Sequence, residues 1–145
     1  MASARPTPET GEKARPEANV NASSKRNYPA LAAALQTIGY SVAGFVASAV
    51  VGLDGTPIAQ VAVDEMDISP LCAYLSTVVQ GASRAIERGG ACEHIVITSN
   101  TQHILLRILS KKKEVFQVLI TSRETTPAEC LDVLTNVEAA LTAAL

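Results

Sequence analysis

The side chains that could carry out chemistry in this chain are its cysteines and histidines. Cys92, His94 and His103 are residue types that bind zinc. In the hairpin predicted for this region, His94 lies opposite Arg107 and His103 lies opposite Thr98. The two histidines are then four residues apart along the sheet, roughly 13 Å, which is too far to share one ion. We therefore expect ordinary strand residues and no metal site.

Nucleophilic catalysis and nucleotide binding have equally little support. Cys72, Cys92 and Cys130 have no directly adjacent basic residue to lower a thiol pKa, and no Gly-x-Ser-x-Gly turn is present. The glycines form no phosphate-binding loop, and no Gly-Lys-Ser/Thr sequence occurs. The sequence thus predicts a protein that is not an enzyme and needs no cofactor.

Composition argues against nucleic acid and membrane insertion. The net charge of -2 gives no basic surface for phosphates, and three Tyr, two Phe and no Trp are too few to stack bases. The longest apolar stretch, residues 42–53, is shorter than the ~20 residues that a membrane helix needs. Three widely spaced cysteines and no secretory signal favour reduced thiols in the cytoplasm.

The chain divides into a tail and one domain. Residues 1–27 are rich in Pro, Ala and charged residues, with Val20 the only aliphatic residue larger than Ala, and such a segment cannot bury enough surface to fold. We predict a disordered tail over 1–27 and a single domain over 28–145.

The elements that must position any site follow a simple order. Asp54-Gly55 between two β-branched runs predicts a hairpin, and Ser99–Thr101 predicts a second one. Helices are expected before the first hairpin, between the two hairpins and at the end of the chain. The second helix is expected to have Ser69 as its cap and to run to Arg88. A fifth strand is predicted from Val115 to Ile120.

This order, together with several local sequences, resembles the roadblock/dynein light chain family, in particular its bacterial or archaeal GTPase-regulator type. The residues that carry the resemblance lie in the first helix, the first hairpin, the end of the second helix and the third strand: Leu31, Leu35, Ile38, Ser41–Gly44, Ser48, Leu53–Gly55, Gly89-Gly90 and His94–Ile97.

The resemblance implies an α/β fold of profilin-like shape, with the order α-β-β-α-β-β-β-α. A five-stranded antiparallel sheet is then sandwiched between the second helix on one face and the first and third helices on the other. It also implies a homodimer formed through the second helix and third strand. The expected interface residues are Leu71, Leu75, Val79, Ala82, Ile86, Ile95 and Ile97.

The function implied by the resemblance is regulation or scaffolding of a small Ras-like GTPase, without catalysis. Two alternatives stay open: a structural adaptor subunit of a multiprotein complex, and a profilin-like or PAS-like ligand-sensing module. Lys111, Lys112 and Lys113 form a charge cluster in a hairpin turn, where lysine commonly does no more than discourage aggregation. We also consider these lysines as possible docking residues for a partner.

Overall fold

The computed structural model describes residues 26–109, 111–112 and 114–145. Most of the predicted tail and Lys113 therefore lie outside the described residues. Within the described ranges the elements are α1 Tyr28–Ser41, β1 Phe45–Gly52, β2 Pro57–Ala62, α2 Ser69–Ile86, a 3-10 turn Glu87–Gly89, β3 His94–Thr98, β4 Gln102–Ile108, β5 Val115–Ser122 and α3 Pro127–Ala144. The predicted order of helices and strands is confirmed.

The five strands form one antiparallel sheet in the order β2-β1-β5-β4-β3. The first seven of the eight residues of β5 are buried, because this central strand has a neighbour on each side and helices on both faces. The predicted pairing of the second hairpin is also confirmed, with His94 opposite Arg107 and His103 opposite Thr98. The strands at the two edges are β2 and β3.

Two apolar layers hold the helices to the sheet. Alternate strand residues face opposite sides, so each strand contributes to both layers. One layer lies between the sheet and α1 and α3, and its fully buried side chains include Leu31, Leu35, Ile38, Leu105, Leu119, Leu134 and Leu141. The other layer lies between the sheet and α2 and includes Ala49, Val51, Leu75, Val79, Leu106 and Phe116. The predicted placement of the helices on the two faces is confirmed.

Local hydrogen bonds explain where α1 and α3 begin. Asn27 Oδ1 accepts from Ala30 N–H at 3.1 Å and caps α1, while Asn27 N–H donates to Ala144 O at 2.8 Å. Thr126 and Glu129 form a reciprocal capping box at the start of α3. Asn27 therefore connects the first helix to the end of the last one.

The start and end of α2 differ from the sequence prediction. Ser69 is the first helical residue rather than the cap, and Asp67 Oδ1 accepts from Ser69 N–H at 3.0 Å and from Ser69 Oγ at 2.6 Å. The prediction was wrong by one residue: the N-cap is Ile68, which has no side-chain acceptor, although serine is the residue type that usually occupies this position. The α-helix also ends at Ile86, and a 3-10 turn replaces its expected last residues.

Candidate interaction surface

Helix α2 packs on the sheet through one side and on the β1–β2 turn through another. Ser76 Oγ and Gln80 Nε2 both donate to Leu53 O, the second at 2.9 Å. A side chain at Gly55 would meet the Cα of Ala73 at 3.1 Å, so the turn lies directly against the helix. These contacts fix the rotation of α2 about its own axis.

The opposite flank of α2 faces away from this turn and carries apolar or small side chains. Tyr74 is 74% exposed, Val78 38% and Ile86 47%. Positions separated by three and four residues lie on the same side of a helix. We call this surface the α2 flank; its members are Leu71, Tyr74, Val78, Ala82, Ala85 and Ile86.

Strand β3 continues the apolar surface at the edge of the sheet. Ile95 and Ile97 are half-buried and pack beside the α2 layer, while Val96 on the other face is 39% exposed. Because β3 pairs only with β4, one row of its backbone N–H and C=O groups points away from the sheet. The apolar layer beneath α2 thus reaches β3 through Ile95 and Ile97, and among the described residues this strand has no neighbour on its outer side.

The residues expected at a dimer interface occupy three kinds of position. Leu75 and Val79 are only 3% and 1% exposed, because they pack against the sheet of their own subunit. Leu71, Ala82, Ile95 and Ile97 are half-buried, and Ile86 is exposed. Their contact with a second copy stays a prediction.

Sequence reasoning gave Val78 a place on the apolar face of this helix but overlooked Tyr74, the most exposed large residue of the α2 flank. The sequence did contain a pattern that indicates this position of Tyr74, since Leu71, Tyr74 and Val78 have the spacing of residues on one side of a helix. An exposed tyrosine is also common on surfaces that bind no partner, so the spacing alone was not decisive.

Of the predicted lysine cluster, Lys111 and Lys112 are described, and they lie in the turn between β4 and β5. Lys111 and Lys112 are exposed and line an open cleft of about 790 Å³ together with Asp54, Thr56 and Glu114. The cleft thus carries both signs of charge. A docking role for these lysines stays a prediction.

A second open cleft, of about 810 Å³, lies between the C-terminal half of α2 and the segment that leads into β3. Its walls include Val79, Arg84, Glu87, Cys92, Glu93 and Ile108. The lining combines apolar side chains such as Val79 and Ile108 with charged ones such as Arg84 and Glu87, which suits a small amphipathic molecule.

The candidate chemical residues are dispersed over the fold. His103 is buried with its Nδ1 2.9 Å from Thr98 Oγ1, whereas His94 is exposed. Burial raises the pKa of the Cys72 thiol and also that of Cys130, so both stay protonated at neutral pH. Within residues 26–109, 111–112 and 114–145, no group of three or more His, Cys, Asp or Glu side chains is arranged to hold a metal ion. In the same ranges, none of the helices combines the length and the apolar character that crossing a bilayer requires.

Comparison with known proteins identifies the fold. The sequence matches no protein-family model and no curated relative. The Roadblock/LC7 domain from Streptomyces avermitilis has a TM-score of 0.70 at 12% identity, covering 77% of this chain and 94% of that one. MglB from Myxococcus xanthus has a TM-score of 0.71 at 13% identity, covering 81% of this chain and 88% of that one.

MglC from Myxococcus xanthus is similar over nearly its whole length. Its TM-score is 0.61 at 21% identity, covering 80% of this chain and 99% of that one. The described part of the chain therefore has the roadblock fold, and the resemblance read from the sequence is confirmed at the level of the fold.

Proposed function

We propose that this protein is a non-enzymatic, homodimeric regulator or scaffold of the roadblock type that binds a small Ras-like GTPase in the cytoplasm. The observations that carry the proposal are the exposed α2 flank and the open β3 edge, on a fold similar to those of MglB and MglC. An exposed apolar surface and an unpaired strand edge are both typical of protein-binding sites.

The homodimer is proposed to form through this surface. Antiparallel pairing of β3 with its copy would satisfy the outward row of backbone groups and join two sheets into one. The α2 flank of each subunit would cover the half-buried Ile95 and Ile97 of the joined sheet. An interface of roughly 1,600 Å² in total is enough for a stable complex, and a helix face together with a strand edge is of suitable size.

The GTPase is proposed as the partner because the roadblock resemblance implies this class. The described residues show no arranged metal site, and two of the three thiols are buried. We therefore propose that the protein acts by holding the GTPase's own catalytic residues in position, or by localising the GTPase.

Two other functions are distinguished from this one by their partners. A structural adaptor would share the fold and the dimer but bind no GTPase. A profilin-like ligand sensor would use a cavity, and the cleft of about 810 Å³ beside α2 is the feature that favours it. A small molecule that co-purifies with the protein and contacts Cys92 would support the sensor.

The first experiment measures molar mass in solution by light scattering after size exclusion. The variant Tyr74→Glu places a charge on the α2 flank at a side chain that is 74% exposed, so the subunit itself should stay folded. Tyr40→Glu is the matched control, since Tyr40 is 89% exposed and belongs to α1, which packs on the opposite face of the sheet from α2. We expect a dimeric wild type, a monomeric Tyr74→Glu and a dimeric Tyr40→Glu. A monomeric wild type would contradict the dimer.

The second experiment tests the partner. Small Ras-like GTPases of the source organism, loaded with GDP or a non-hydrolysable GTP analogue, are titrated against the immobilised protein. We expect one of them to bind in a nucleotide-dependent way, and the dimeric Tyr40→Glu variant to show whether it contacts the face of the sheet that carries α1. A dimer that binds none of these GTPases would favour the adaptor.

A further inference from the structure

The sheet edge opposite β3 is formed by β2 and has little protection. None of its six residues, Pro57–Ala62, is charged, whereas natural edge strands commonly carry charges that discourage pairing. Pro57 and a register shift between Val50 and Val51 protect only the beginning of the strand. In the part of the chain that the structure describes, no strand pairs with the outer side of β2.

The register of the β1–β2 pair shows which backbone groups this edge offers. Val63 N–H donates to Val46 O at 3.0 Å, and Val61 lies opposite Ser48 in the same register. Hydrogen bonding alternates along an antiparallel strand. The N–H and C=O groups of Gln60 and Ala62 therefore point away from β1 and are available to an added strand.

The segment that follows β2 is held in place and presents apolar side chains. Ile68 N–H donates to Gln60 Oε1 at 3.1 Å, and Gln60 Nε2 donates to Asp67 Oδ1 at 3.3 Å. Between these anchors Val63 is 58% exposed and Met66 is 43% exposed. An ordered segment loses less entropy on binding than a flexible one, so this platform is well prepared for a partner.

The charged residues that directly follow β2 are acidic, whereas Lys111 and Lys112 share a cleft with Ile58 at the beginning of the strand. From Asn27 to Ser83 the charged residues are all acidic: Asp54, Asp64, Glu65 and Asp67. Asp64 and Glu65 are exposed, and the ion pair found among the described residues, Arg107–Glu138, does not involve them. A partner that approaches the end of β2 would therefore gain from carrying a cation.

We propose that the β2 edge accepts an extended segment of a partner protein, which adds to the sheet as a sixth strand. Its backbone pairs with Gln60 and Ala62, its apolar side chains contact Val63 and Met66, and a Lys or Arg lies beside Asp64 and Glu65. Because β2 and β3 are opposite edges, this partner and a second copy bound at β3 could be held at the same time.

The test uses defined peptides and the intact chain. The probe is the capped peptide Lys-Lys-Thr-Val-Thr-Val-Thr, and its control is the same peptide with both lysines replaced by glutamate. Binding is followed by amide chemical shifts in nitrogen-15 NMR spectra. We expect the lysine peptide to shift Gln60, Ala62 and Val63 and to bind about three- to tenfold more tightly than the glutamate peptide.

Two further controls separate strand addition from simple charge attraction. Two versions of the lysine peptide are N-methylated, one on the odd-numbered residues and one on the even-numbered residues. Because alternate N–H groups of a strand point to opposite sides, only one version loses the donors that face β2. That version should give no shifts at Gln60 and Ala62. The double variant Asp64→Lys, Glu65→Lys should reverse the peptide preference.

Three results would overturn the proposal. They are shifts confined to β3, binding that N-methylation leaves unchanged, and absence of shifts at Gln60 and Ala62 with millimolar lysine peptide. The proposal would also be overturned if the molar mass doubled as the protein concentration rose and did not double in an Ala62→Lys variant. That result would assign the β2 edge to a second copy of the chain.

Discussion

Arg107 Nη2 lies 2.8 Å from Glu138 Oε1, and Arg107 Nε donates to the same oxygen at 3.1 Å, so that one side chain of β4 is joined to one side chain of α3. The two side chains are 20% and 13% exposed. At this depth water screens the pair only partly, and the guanidinium keeps a fixed orientation. The pair fixes the position of α3 over the side of the sheet that is near the β3 edge.

Loss of this pair should weaken the domain. We expect Glu138→Ala to lower the free energy of unfolding by about 1 to 2 kcal/mol, between the values for exposed and fully buried pairs. The measurement is urea unfolding followed by circular dichroism. The control is Asp132→Ala, an exposed position of the same helix, which should change stability by less than about 0.5 kcal/mol. Equal effects of the two variants would contradict this role.

Gln117 is a buried polar side chain whose carbonyl oxygen is not satisfied. Its Nε2 donates weakly to Leu134 O at 3.4 Å, and no partner for its Oε1 is found in the part of the chain that the structure describes. Burying a polar atom without a partner costs about 1 to 3 kcal/mol. We therefore expect Gln117→Met, which keeps the length of the side chain, to leave stability unchanged or to raise it by up to about 2 kcal/mol.

The control for this variant is Gln36→Met at an exposed position of α1, which should have little effect on unfolding. A loss of more than about 1 kcal/mol in Gln117→Met would show that the amide is satisfied in solution and supports the sheet.

The sequence predicted most of the fold because its patterns were unambiguous. A turn centred on Asn100-Thr101 predicts one pairing of β3 with β4, and the structure has that pairing. The start of α2 was less predictable, because the residues before it are held by Gln60 of β2, whose amide bonds both Asp67 and Ile68. Local sequence does not contain such a contact.

The candidate surface was predicted only in part, for a related reason. The apolar side of α2 has two possible neighbours, its own sheet and a second subunit, and periodicity does not assign each residue to one of them. Leu75 and Val79 pack on the sheet, which leaves Tyr74 and Val78 on the exposed flank. Only the rotation of the helix, fixed by Ser76, Gln80 and Leu53, makes this assignment.

Gly44 should be intolerant of any side chain. Its φ of +77° lies in the left-handed region, and a Cβ there would overlap Ser122 Oγ. We expect Gly44→Ala to cost about 2 kcal/mol or more, measured by thermal and urea unfolding. The double variant Gly44→Ala, Ser122→Ala removes the overlap with the hydroxyl but keeps the unfavourable φ, so it should recover only part of the loss. Full recovery would show that the backbone conformation carries no cost.

Asp67 should titrate below its ordinary range. The Ser69 hydroxyl, the Ser69 backbone N–H and the Gln60 amide all donate to its carboxylate, and they lower its pKa from 3.8. A carboxyl group whose pKa is lower in the folded state stabilises the fold above pH 3.8, and this contribution is lost as the pH falls through the folded-state value. Carbon-13 NMR titration of the wild type should show the lowered pKa.

Ser69→Ala should raise the pKa of Asp67 most and Gln60→Ala less, because the serine hydroxyl has the largest effect. An unchanged Asp67 pKa in Ser69→Ala would contradict this account of how α2 begins.

The three cysteines should differ sharply in reactivity. Cys72 and Cys130 are fully buried, and burial raises the pKa of each thiol, so neither access nor ionisation favours attack. Cys92 is half-buried in the wall of the cleft beside α2. We expect iodoacetamide to label Cys92 alone in the folded protein and all three cysteines after unfolding, as counted by mass spectrometry. The variant Cys92→Ser should abolish labelling of the folded chain. Labelling of Cys72 at a rate similar to that of Cys92 would mean that α2 separates from the sheet in solution, and the α2 flank would then not be a fixed surface.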